Sequence, residues 1–254
     1  MVTSTLAQRL RDARHVVVFT GAGASAESGI PTFRDALTGL WEHFNPAQLA
    51  TSEAFRADPA LCWGWYEWRR QKVAQAKPNG AHLAIAELAR HVPNLTVITQ
   101  NVDDLHERAG SRDVIHLHGR LHSPRCIDCG QPYTLPLTSD ALPEDGSRIE
   151  PPRCSACSGY VRPGVVWFGE MLPEDAWSAG LAAAEGCDVF LSIGTSGIVY
   201  PAAELPLRAL GNGATVVHIN PVRFDVSSQE HFLQGSASTM MQGLLRDAFG
   251  NHPV

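Results

Sequence analysis

The chain has no run approaching the ~20 apolar residues of a membrane-spanning helix and no stripe of basic residues. Twenty Lys and Arg against 26 Asp and Glu leave a net charge of -6, which argues against nucleic acid as a direct ligand. The first residues, MVTSTLAQRLRDARH, lack the apolar core of a secretion signal. No internal repeat or low-complexity tract is visible, and charged residues make up only 18%. A disordered or fibrous chain is excluded by a hydrophobic content of 44%. At 254 residues there is room for one large domain, or a large one with a small insert. These features predict a cytoplasmic enzyme, expected as a monomer, with neither membrane nor nucleic-acid partner. Its mildly acidic surface suits cationic partners such as lysine-rich protein segments.

Apolar runs of five or six residues recur at His15–Thr20, Leu95–Thr99, Asp113–Leu117, Asp188–Ile193 and Ala214–Ile219. Continuous runs of this kind mark strands covered on both faces of a parallel sheet. Amphipathic stretches at Leu6–Ala13, Ala81–Arg90, Ala176–Ala184 and Thr239–Phe249 read as helices. Strands interspersed with helices predict an α/β, doubly wound, Rossmann-like parallel sheet. Two segments break the rhythm. Residues about 33–80 are aromatic-rich and read as a helical insert. Residues 120–165 are proline-rich and strand-poor and read as a separate small module. The sheet domain is then expected from 1–119 and 166–254.

The small module carries Cys126-x2-Cys129 and, 24 residues on, Cys154-x2-Cys157. Two such hooks supply four soft thiolates to a tetrahedral Zn²⁺. Four thiolates close the coordination shell, so a hydrolytic zinc with an open position is excluded. Cys62 and Cys187 lie apart in apolar settings and read as buried thiols.

GAGASA at 21–26 follows the first strand and fits G-x-G-x-x-A. Gly21 allows a tight turn, Gly23 lets backbone approach a pyrophosphate, and Ala26 lets a following helix pack closely. A plain structural turn is the competing reading. The ribose-binding acid of an ordinary dehydrogenase is missing, and Phe33-Arg34-Asp35 follows in a polar loop instead. Other strand ends are polar too: Gln100-Asn101-Val102-Asp103, His116-Leu117-His118-Gly119, Gly194-Thr195-Ser196 and Asn220-Pro221. In open parallel sheets ligands bind beyond these ends, so the clusters converge on one crevice. His116 reads as a packed or supporting histidine.

GAGASAESGIPTFRD, TQNVD, LHG, the paired cysteines, PGVVWFGE, GTS and the Asn220 turn together resemble the sirtuins, NAD-dependent protein lysine deacylases. The motifs span nearly the whole chain in the family's order. The resemblance implies a Rossmann-like domain and a small zinc domain, with NAD and an acyl-lysine peptide meeting between them. It implies His118 as catalytic base, with Asn101 and Asp103 orienting the nicotinamide ribose and carboxamide. Gln100 matches a ribose contact, and Ala22, Phe33 and Arg34 match a cofactor loop. Thr195, Ser196, Asn220 and Ala237 match contacts to the adenosine half, although Asn220-Pro221-Val222-Arg223 lacks the acid often found there. Val166, Phe168 and Gly169 match the segment that pairs with substrate backbone. The implied products are nicotinamide, free lysine and O-acyl-ADP-ribose.

Tyr66 and Arg69 share a helix face at i and i+3. Read from the residues alone, they form an aromatic helix with a solvated arginine. One sirtuin branch, which removes malonyl and succinyl groups, carries Y-x-x-R here and an alanine in a Leu-Ala-Thr stretch, matched by Leu49-Ala50-Thr51. Trp65 stands where phenylalanine is common. The resemblance therefore implies a pocket in which Arg69 grips a distal carboxylate, Tyr66 adds a hydrogen bond, and Ala50 leaves room. A protein ADP-ribosyltransferase using the same NAD site is the first alternative, and a non-catalytic NAD-sensing module the second.

Overall fold

The computed structural model describes residues 4–30, 48–134 and 148–250. Phe33 and Arg34 lie outside them. The chain divides into two compact units, one drawn from Met1–Gly29, Lys77–Leu117 and Pro173–Val254, the other from Ile30–Ala76 and His118–Leu172.

The first unit is a parallel sheet flanked by helices. Its strands are β1 (His15–Thr20), β2 (Asn94–Thr99), β3 (Ile115–His116), β6 (Val189–Ile193), β7 (Thr215–Asn220) and β8 (His231–Gln234). They run in the order β3-β2-β1-β6-β7-β8, every neighbour parallel. The helices are α1 (Ser4–Asp12), α4 (Gly80–Leu88), α5 (Leu105–Arg108), α6 (Glu174–Glu185), α7 (Leu205–Gly211) and α8 (Ala237–Phe249). One continuous core joins Leu6 and Leu10 of α1, Ile85 of α4 and Leu244 of α8 to Val16, Val97, Leu191 and Val217 of the sheet. Burial on this scale, at roughly 25 cal/mol per Å² of apolar surface, is what holds the sheet in place.

The strand order reverses between β1 and β6, and such a switch point opens a crevice beyond the strand ends. The glycines at this point are dictated by contact. A Cβ on Gly23 would lie 2.7 Å from the Gly194 Cα, and one on Gly194, which sits at φ +62, would lie 2.4 Å from the Ala24 nitrogen.

The second unit holds α2 (Ser52–Ala57), α3 (Pro59–Gln75) and a short antiparallel pair, β4 (Arg125–Cys126) with β5 (Val161–Arg162). Thr51 caps α2 by accepting from the Ala54 N–H at 3.1 Å, and Asp58 caps α3 at Leu61 with Pro59 in the first turn.

The sequence expectations differ from the structure in four places. The third strand shortens to two residues. The glycine turn runs into two 3₁₀ turns, Ala22–Ala24 and Ala26–Ser28, the second closed by Gly29 at φ 78, rather than directly into an α-helix. The close packing expected of Ala26 falls to Ala24, which is fully buried while Ala26 is exposed. A sixth strand, β8, was not expected.

Candidate active site

In the sheet unit the polar strand ends are knitted together through one serine. Asn101 Nδ2 donates to the Gly21 carbonyl at 3.1 Å and to Ser25 Oγ at 3.0 Å. Ser25 Oγ in turn donates to Asp103 Oδ2 at 3.0 Å. The Leu105 N–H caps the other carboxylate oxygen at 3.1 Å. Asn101 and Asp103 are both buried. Burial pushes the Asp103 carboxyl above its ordinary value, and the bonds from Leu105 and Ser25 oppose that rise. Ser25 was not among the sequence candidates. A serine in a glycine-rich turn has no signature of its own, and only its neighbours reveal it.

His116 supports this cluster from behind. Its Nδ1 lies 3.2 Å from the Asn101 carbonyl oxygen and its Nε2 2.7 Å from Glu107 Oε1. Beneath it, Asn101 donates its backbone N–H to Thr99 Oγ1 at 3.0 Å. Thr99 Oγ1 accepts from Thr20 Oγ1, which is 2.9 Å from His106 Nε2. Burial lowers the pKa of His106 to about 3, and that of its ring neighbour His82 to about 4.

The glycine turn is tied down on three sides. Gly21 N–H donates to the Ile193 carbonyl and Gly23 N–H to the Gly194 carbonyl, each at 3.0 Å. Asn79, which caps α4, donates to the Ala24 carbonyl at 2.9 Å. Ala22 is half-buried beside them. Across β6 and β7, Asn220 Nδ2 donates to the Thr195 carbonyl at 3.0 Å. Gln100, Thr195 and Ser196 line one cavity of about 290 Å³ beyond the ends of β2 and β6. Ala237 is buried at the first position of α8, where the next N–H, of Ser238, is taken by Glu27 at 2.9 Å. The set offers hydroxyls, amides and a constrained glycine turn at the switch point, which fits a dinucleotide.

The second unit holds the other candidates. His118 is half-buried, and its carbonyl accepts from the Val166 N–H at 2.9 Å. Gly119 follows at φ +72, where a Cβ would meet the Gly164 carbonyl oxygen. Gly169, at φ 84, closes the turn after Phe168, whose N–H donates to the Ala50 carbonyl at 3.0 Å. Ala50 is buried. On α3, Tyr66 is buried and accepts from Trp167 Nε1 at 3.0 Å. The Arg69 guanidinium carbon lies 5.0 Å from the Trp65 ring centroid and 5.8 Å from that of Tyr66. Burial pushes the Tyr66 phenol pKa upward, against a lowering by the Arg69 charge.

The Sγ atoms of Cys126, Cys129, Cys154 and Cys157 all lie within 4.8 Å of one another. The pairs Cys126–Cys157 and Cys129–Cys154 are 3.4 and 3.6 Å apart. Tetrahedral zinc with Zn–S bonds of about 2.3 Å needs sulfurs roughly 3.8 Å apart, so the four thiols fit one structural Zn²⁺. Phe55 of α2 reaches this module at Tyr160, with rings 6.4 Å apart and edge-on, and also touches Trp167 at 5.3 Å. Arg56 pairs with Asp128, between the first two cysteines, at 3.3 Å. Cys62 and Cys187 are buried, and desolvation pushes both thiols up to about 12.

The Sir2 family model matches residues 21–201. NAD-dependent protein deacylase 1 of Pseudomonas aeruginosa is 60% identical over 241 residues, covering 94% of this chain and 96% of that one. An NAD-dependent protein deacylase of Aquifex aeolicus is 47% identical over 245 residues, covering 93% and 98%. Among solved structures, a Sir2 homolog–NAD complex superimposes with a TM-score of 0.88 at 43% identity, covering 98% of this chain and 94% of the other. A Sir2 protein bound to a myristoylated histone peptide gives 0.74 at 34% identity, covering 96% and 95%.

Proposed function

Given that this chain belongs to the Sir2 family and is an NAD-dependent protein deacylase, we propose that it acts by preference on succinyl- and malonyl-lysine while retaining deacetylase activity. The carrying observation is that on α3 the Arg69 guanidinium carbon lies 5.8 Å from the ring centroid of the buried Tyr66, in the same unit as the small Ala50. A guanidinium and a phenol together match a carboxylate: two planar donors and one further O–H. An acetyl group has nothing to pair with them.

The remaining roles follow from the side chains. NAD, when bound, supplies the ribose carbon from which nicotinamide leaves as the acyl oxygen takes its place. Asn101 and Asp103 orient that end of the dinucleotide, and both are held by Ser25. Preorganised polar groups of this kind need no rearrangement during the reaction. His118 removes a proton from a ribose hydroxyl. Imidazole suits this because its ordinary pKa of ~6.5 leaves it mostly neutral at cellular pH. Gly21, Gly23 and Ala26 take the phosphates, and Ala22 belongs to the cofactor loop with Phe33 and Arg34, which lie outside the described residues. Gln100, Gly194, Thr195, Ser196, Asn220 and Ala237 take the nucleoside portions. Val166, Phe168 and Gly169 add a strand to the peptide.

All six cysteines are free of disulfides, which suits thiolate-bound zinc in a reducing compartment. The proposed enzyme is a monomer of the cytoplasm, acting on acyl-lysine segments of proteins. Among the described residues no helix is long and apolar enough to cross a membrane. The transferase alternative is not favoured, since the relatives at 47–60% identity are named deacylases. The test is NAD-dependent turnover on one peptide carrying acetyl, malonyl, succinyl, glutaryl or myristoyl lysine. A succinyl or malonyl kcat/KM no higher than that for acetyl refutes the preference.

A further inference from the structure

The indole of Trp167 is held unusually firmly. Its backbone N–H donates to Glu170 Oε2 at 2.9 Å. Its ring is covered by the Arg162 guanidinium, whose carbon lies 3.5 Å from the centroid. Arg162 is itself buried, ion-paired with Glu170 and donating to the Val165 carbonyl at 2.9 Å. Phe55 packs on the same ring at 5.3 Å. Locked in this way, the indole N–H points at Tyr66 Oη, 3.0 Å away. Among the described residues this is the hydrogen bond that the Tyr66 hydroxyl makes.

An indole N–H can only donate, whereas a phenol can both donate and accept. Trp167 therefore fills an acceptor position on Tyr66 Oη and leaves its single proton to be given away. Burial also opposes ionisation of the phenol, so that the proton is retained. A carboxylate accepts only. A donor of fixed direction beside Arg69 is thus matched to the distal carboxylate of a dicarboxylic acyl group.

We propose that Trp167 is a positioning residue for acyl selectivity: its indole N–H sets Tyr66 as an obligate donor to the acyl carboxylate. This rests on the acidic-acyl reading above. It extends that reading to a residue that contacts Tyr66 rather than the acyl group.

The test is a double-mutant cycle read as the ratio of kcat/KM for succinyl and acetyl forms of one peptide, with the NAD-saturated, zinc-loaded enzyme. Losing one neutral hydrogen bond corresponds to roughly a 2- to 12-fold change. Trp167→Phe should lower the ratio within that range, through KM for the succinyl peptide. Tyr66→Phe should lower it similarly, and the double variant no further than Tyr66→Phe alone. A ratio that falls by the product of the two single effects would mean that Trp167 acts through packing, and would overturn the proposal. Should Trp167→Phe not fold, 3-benzothienylalanine at position 167 keeps the ring shape and removes only the N–H. It should reproduce the ratio change, and an unchanged ratio would overturn the proposal. Failure of the acidic-acyl reading shows itself separately, as no succinyl preference in the unsubstituted enzyme and no ratio change in Arg69→Met. That result refutes both.

Discussion

Arg69→Met is the sharpest probe of the acyl pocket. Methionine keeps much of the length and apolar bulk of the arginine stem, whose guanidinium carbon sits 5.0 Å from the Trp65 ring centroid. The positive charge beside Tyr66 is removed. A hydrogen bond to a charged group contributes about 1.5–3 kcal/mol, so kcat/KM for a succinyl peptide should fall roughly 10- to 150-fold. Deacetylation of the same peptide should fall much less, because acetyl carries no carboxylate. The packing contribution is common to both substrates and cancels in their ratio. The assay is therefore initial rates at saturating NAD for acetyl and succinyl forms of one peptide, with melting curves to confirm an intact fold. Equal loss of both activities would mean that Arg69 supports the helix and does not read the acyl group.

Three further outcomes are expected. His118→Ala should cut product formation by about 10²–10⁴-fold with NAD binding retained, checked by single-turnover rates and NAD titration; a loss below about tenfold would remove the base assignment. Stripping the metal from Cys126, Cys129, Cys154 and Cys157 should unfold their module and abolish activity, since apparent zinc binding energies in small domains run to ~10–16 kcal/mol; an unchanged melting curve after chelation would contradict this. His82 and His106, depressed to about 4 and about 3 by burial, should make stability pH-dependent. Their folded values lie below the ordinary ~6.5, so as pH falls the unfolded chain takes up protons first. Stability is full above about 6.5 and declines toward pH 4, by up to about 1.4 kcal/mol per pH unit for each histidine. Urea midpoints between pH 7.5 and 5 should show this, and His106→Asn should flatten the slope; an unaltered slope would exclude His106.

What could be read from the sequence was whatever local pattern determines. β1, β2, β6 and β7 announced themselves because a strand covered on both faces carries a near-continuous apolar run, as VVVF does in HVVVFT. β8, with sequence HFLQ, is an edge strand in which only Leu233 is buried, so it carries no such run. The cysteine hooks were legible because metal chemistry fixes both residue type and spacing. Asn101 and Asp103 were legible as polar residues at a strand end. Ser25, which joins them, was not, because its role exists only once residues 76 and 78 positions away in sequence lie beside it. Nor was the Trp167–Tyr66 bond, which spans 101 positions. The helix expected after the glycine turn failed locally for a visible reason: Gly29 takes a left-handed conformation that ends the turn.

Phe55 touches a ring of the cysteine module on one side and Trp167 on the other. On the proposed reading, acyl preference and metal-dependent folding would therefore be inherited together, while the Asn101–Ser25–Asp103 cluster belongs to the sheet unit. A chimaera that exchanged α2, α3 and the cysteine module as one cassette would transplant acyl preference into a new host. Swapping α3 by itself would strand Tyr66 without the indole that aims it.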